Sequence, residues 1–98
     1  MPTIVRRFDS YKVSYESFGN GRPGATITCF SKGAQIGRID FYEAVPNERQ
    51  NRIQDDLIVL VFRISSFNDV MAILRSKRTL KLVLETDLPH FPIGYVAT

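Results

Sequence analysis

The segment Leu57-Ile58-Val59-Leu60-Val61-Phe62-Arg63-Ile64 constrains this chain more than any other. Its β-branched content and short length favour a strand over a helix. The alternating positions fall into two sets, Leu57, Val59, Val61 and Ile58, Leu60, Phe62, Ile64, and no residue of either set is charged. A strand with one face in water carries a polar set, so both faces of this one need cover. The run is also far short of the roughly 20 apolar residues that span a bilayer, so no membrane is expected as a partner.

The remaining elements follow from local chemistry. Tyr11 to Phe18 alternates with a period of two, with Tyr11, Val13 and Tyr15 facing one way and Lys12, Ser14 and Glu16 the other, the pattern of a half-buried strand. Gly19, Asn20, Gly21, Pro23 and Gly24 then mark a reversal, since Asn-Gly tolerates positive φ and Pro cannot continue a ladder. Ala25 to Ser31 and Ala34 to Tyr42 read as strands joined by a tight Lys32-Gly33 hairpin. Glu43 to Asp56 is polar and reads as a solvated loop, so excising 47 to 52 is expected to leave the fold intact. Ser66 and Asp69 predict a capped helix start. Phe67, Val70, Met71 and Leu74 form its apolar stripe, and it ends near Lys77. Thr79 to Glu85 and Ile93 to Ala97 supply two last strands, separated by a connector with Asp87, Pro89 and Pro92. The expectation is an α+β domain, a curved and mainly antiparallel sheet in the order ββββαββ with one helix packed on it. With 98 residues, one globular domain over 1–98 is expected.

Two resemblances accompany this reading. Val13-Ser14-Tyr15-Glu16-Ser17-Phe18-Gly19, the Ile64 to Arg75 segment with its Ser-Phe start, and Ile93-Gly94-Tyr95 resemble short uncharacterised bacterial proteins of about this size, over most of the chain. That resemblance implies a single domain and no assigned activity. Four strands followed by a helix is similar in topology to the repeat unit of the Pur-alpha and Whirly group of single-stranded nucleic-acid binders, a likeness at the level of fold alone.

Candidate chemistry is sparse. His90, the one histidine, sits between Pro89 and Phe91, and without cysteine or carboxylate spacing it predicts no metal site. Cys29 lies in an expected strand, where a buried thiol acts as a small hydrophobe. A lone cysteine also forms no internal disulfide, which fits the cytoplasm. Asp55 and Asp56 are adjacent in a segment read as extended, so they point to opposite faces. Gly19, Gly21 and Gly24 have G-x-G-x-x-G spacing but join two strands, where dinucleotide binding needs a strand and a helix. No cofactor and no enzymatic activity are expected. The formal charge of +3 suits solubility as well as it suits a polyanion.

A geometric shortfall points to assembly. A helix of about 11 residues covers roughly 16 Å by 10–12 Å, whereas six strands at about 4.8 Å spacing extend some 24 Å. Something else must shield Leu57, Ile58, Val59, Leu60, Val61 and Phe62. A homo-oligomer, most simply a dimer, is the expected partner, although a sheet that closes on itself would also serve. The expected function is therefore a non-catalytic binding or assembly module. The alternative is single-stranded nucleic-acid binding through Arg75, Lys77, Arg78 and Lys81 with Arg38 and Tyr42. A small enzyme without a recognisable motif ranks third.

Overall fold

The computed structural model describes residues 3–15, 24–43, 50–76, 79–85 and 93–97. Among these residues it is a small α+β structure with two sheets, mostly antiparallel, and one α-helix. Strands β1 (Thr3–Phe8), β2 (Ser10–Tyr15), β3 (Ala25–Ser31), β4 (Ala34–Tyr42), β5 (Arg52–Gln54) and β6 (Leu57–Arg63) precede helix α1 (Phe67–Leu74), and β7 (Leu80–Glu85) and β8 (Ile93–Ala97) follow it. The five-stranded sheet runs β2-β3-β4-β6-β5 and the three-stranded sheet β1-β7-β8.

The expected order ββββαββ in one curved sheet is corrected in three places. Thr3–Phe8 is a strand that periodicity did not reveal, because Arg6 occupies an inward position between Ile4 and Phe8. Its guanidinium reaches the Ile36 carbonyl at 3.4 Å and the Asp56 carboxylate at 3.2 Å, and it also donates to the Asp56 carbonyl. The polar side chain is thus satisfied by hydrogen bonds rather than by exposure. Arg52–Gln54 is a strand inside the supposed loop, and Asp55 and Asp56, at φ 52° and 64°, form the two-residue turn that folds it back on β6. Positive φ at both central residues is the type I′ pattern suited to the twist of a hairpin, so these two residues are not extended. Because β5 runs antiparallel to β6, β6 comes to lie parallel to β4, with Ile39 opposite Leu60 and Phe41 opposite Phe62. The four-strand-and-helix string behind the Pur-alpha and Whirly likeness is therefore not the string observed.

Other expectations hold. β3 and β4 keep their expected bounds, and the hairpin turns on Lys32 and Gly33, both at positive φ. The strand expected over Tyr11 to Phe18 is present as Ser10–Tyr15, while 16–18 lie outside the described residues, as do the Gly19–Pro23 reversal and His90. The helix buries Phe67, Val70, Met71 and Leu74 as expected. Its start differs: Ser66 makes no side-chain cap, and a 3-10 turn over Ile64–Ser66 leads in.

The two sheets pack face to face, and this arrangement answers the shortfall. Ile27, Cys29, Ile39, Phe41, Ile58 and Leu60 of the larger sheet meet Phe8, Leu80, Leu82 and Leu84 of the smaller one in a single core. The layers approach closely at Gly37, where a Cβ would stand 2.5 Å from the Ile58 carbonyl oxygen and 2.6 Å from Leu82 Cδ1. The helix covers a further part of the inner face, with the Phe67 ring 5.1 Å from Phe41 and 5.0 Å from Tyr15. Ile58, Val59 and Leu60 are fully buried in one chain, and Leu57, Val61 and Phe62 are half-buried. For Ile58, Val59 and Leu60 the expected cover thus comes from the same chain.

Candidate functional site

Among the described residues the two sheets have four edges: β2 and β5 in the larger sheet, β1 and β8 in the smaller one. An edge strand presents a row of unpaired N–H and C=O groups, and charge, shortness or irregularity normally blunts it. β5 has three residues. β1 carries Arg6 and Arg7 within six residues, and β8 contains Gly94, a residue that weakens a strand interior. β2 carries one such feature, Lys12. Its six residues, Ser-Tyr-Lys-Val-Ser-Tyr, hold one charge, and only Tyr11 among them is half-buried. Val13 is 40% exposed and Tyr15 66%. Both belong to the face that looks toward the second layer, being opposite Ile27 and Ala25 of β3. The sheet therefore stops at β2 before its own inner-face residues are covered. On the other face the Lys12 ammonium lies 5.7 Å from the centre of the Phe30 ring.

A concave pocket of about 620 Å³ opens between the layers beside the Asp9 bend from β1 to β2. Phe8, Leu74 and Leu80 line it along with Asp9, Tyr11, Arg75 and Thr79. The Asp9 carboxylate accepts the Lys32 N–H at 3.2 Å. Nothing in this set pairs a nucleophile with a base within hydrogen-bond reach, which acyl or phosphoryl chemistry would require. Cys29 is enclosed in the core, and burial pushes its thiol up to about 12, opposite to the shift of a reactive cysteine. Among the described residues no group of three His, Cys, Asp or Glu side chains could hold a metal ion. No helix among them is long and apolar enough to cross a membrane.

Of the described residues considered for nucleic acid, Arg38 and Tyr42 lie on the larger sheet and Lys81 on the smaller one. Arg38 pairs with Asp40 at 3.2 Å on the outer face of the larger sheet, and Thr26 also donates to that carboxylate. Tyr42 is buried on the same strand. Lys81 belongs to the outer face of the smaller sheet, in a row with Arg7 and Ala97. Arg75 follows the helix, and Lys77 and Arg78 lie outside the described residues. Lys81 does acquire a neighbour that the sequence reading left out, since Arg7 stands directly opposite it. Two residues along the strands runs the row Val5, Val83, Tyr95, and the Tyr95 hydroxyl donates to Glu85 at 3.2 Å.

The exposure of β2 was also missed. Its alternation was legible, but whether a strand is central or terminal depends on pairings made far along the chain. The one local signal was the near-symmetric run Tyr11-Lys12-Val13-Ser14-Tyr15, read about Val13. No family model, no curated protein and no solved structure matches this chain significantly.

Proposed function

We propose that this protein is a non-catalytic binding and assembly module that associates through its sheet, by addition of a strand at the open edge of β2. The observation behind this reading is the exposure of Val13 and Tyr15 on a six-residue terminal strand with one charge. An added strand satisfies the outward backbone groups of β2 and extends the inner face across both side chains. Light scattering over a concentration series tests it. Mass should rise above the 11.2 kDa of one chain as concentration enters the micromolar range. Val13→Lys, an inward-facing charge of the kind that blunts natural edges, should remain monomeric while still unfolding in a single cooperative melt. A wild-type mass that stays at one chain throughout would end the self-association reading.

Single-stranded nucleic-acid binding is the second reading, favoured by the opposed pair Arg7 and Lys81. Like charges directly opposite across strands are unfavourable, and neither has an ion-pair partner among the described residues. An anion would relieve that repulsion. The same scattering series with a short oligonucleotide present separates the readings, because a mass gain that needs the oligonucleotide and fades with salt would favour this one.

A further inference from the structure

The added strand can itself be specified, in an inference that rests on the reading of β2 as an open edge. We infer that it is β2 of a second copy, running antiparallel about a two-fold axis in the register that sets Val13 against Val13. In that register Tyr11 faces Tyr15, Lys12 faces Ser14, and the same pairs recur on the other side of the axis. Cross-strand aromatic and β-branched pairs are favourable, and no like charges meet. Every inner-face residue, Tyr11, Val13 and Tyr15, meets an inner-face residue of the copy, and the outer-face residues Lys12 and Ser14 do likewise. The copy's Tyr11 comes over the most exposed aromatic of the strand, Tyr15, whose ring already leans on Phe67. An isologous interface requires a patch complementary to itself, and a near-palindromic strand supplies one.

Neighbouring registers are distinguishable by charge. An axis through Lys12 opposes Lys12 to its own copy and Ser14 to Ser10. An axis through Ser14 opposes Ser14 to its own copy and Val13 to Tyr15. Charge exchange on the outer face therefore reads the register. Ser14→Lys places a lysine opposite Lys12 at two symmetry-related points and should raise the dimer dissociation constant about tenfold. Adding Lys12→Glu to that variant converts both repulsions to attractions and should restore wild-type affinity. With the axis on Ser14, the lysine introduced at that position meets its own copy whatever stands at position 12, so the double variant recovers nothing. With the axis on Lys12, the first substitution only faces Ser10 and has no effect. Lys12 and Ser14 are both exposed, so the variants should fold, which a thermal melt verifies. Sedimentation equilibrium of the wild type and both variants is the experiment. Weakening by the single change and recovery by the double one is the expected result. Wild-type association that ignores Ser14→Lys, or a double variant that does not recover, overturns the register and leaves the edge reading standing. A monomeric wild type overturns both.

Discussion

Cys29 shows how burial alone sets the behaviour of a single residue. It sits between Thr28 and Phe30 on β3, opposite Tyr11 on one side and Gly37 on the other, and desolvation lifts its thiol from 9.0 to about 12. Below pH 9 the folded and unfolded chains both keep the proton, and the thiol adds no pH dependence. Between pH 9 and 12 the unfolded chain releases the proton while the folded chain retains it, so stability falls as pH rises. Denaturant midpoints measured from about pH 8 to 11 should therefore drop more steeply for the wild type than for Cys29→Ala, and parallel curves would show that the thiol is accessible. This environment was legible from sequence, because a cysteine in an alternating strand takes the face of its apolar neighbours, here Ile27. Arg6 was not legible. An inward arginine breaks the apolar pattern, and only the distant Ile36 and Asp56 explain why it is tolerated.

At the scale of elements, β5 and the residue before it have a clear structural role. β6 extends beyond the three residues of β5, which leaves the Val61 N–H past the end of that ladder, and the Asn51 side-chain oxygen accepts it at 2.8 Å. Excising 47 to 52 would remove this acceptor together with Arg52, the partner of Val59, so the tolerance expected from composition does not follow. Asn51→Ala should cost about 1–2 kcal/mol, the penalty of leaving a half-buried donor without a partner. It should lower the melting temperature by several degrees, and an unchanged melt would mean that water replaces the amide. Composition concealed β5 because its turn is Asp-Asp, where Asn-Gly or Asp-Gly is the usual signal of a two-residue hairpin. The helix was legible because four apolar residues at helical spacing specify both its type and its buried face.

For the whole molecule, the expectation that the apolar strand β6 needs cover is met within the chain on the face that carries Ile58 and Leu60. That face is covered because the chain leaves one sheet at Asp9 and uses β1, β7 and β8 as a second layer. That outcome depends on which strands pair, with Thr3 meeting Glu85 and Phe8 meeting Leu80, and local periodicity holds no record of partners at the far end of the chain. The consequence is a shift of the candidate interface from the centre of the sheet to its β2 edge. Cysteine cross-linking tests that shift most directly, because the buried native thiol provides a silent background. Residues directly opposite on antiparallel strands have Cα atoms about 4.5–5.5 Å apart, within disulfide reach. Under mild oxidation at micromolar concentration, Val13→Cys should yield a disulfide dimer that reductant dissolves, while Val61→Cys, on the half-buried part of β6, should remain a monomer. A Val13→Cys chain that stays monomeric while Val61→Cys cross-links would contradict the β2 assignment and return the interface to β6.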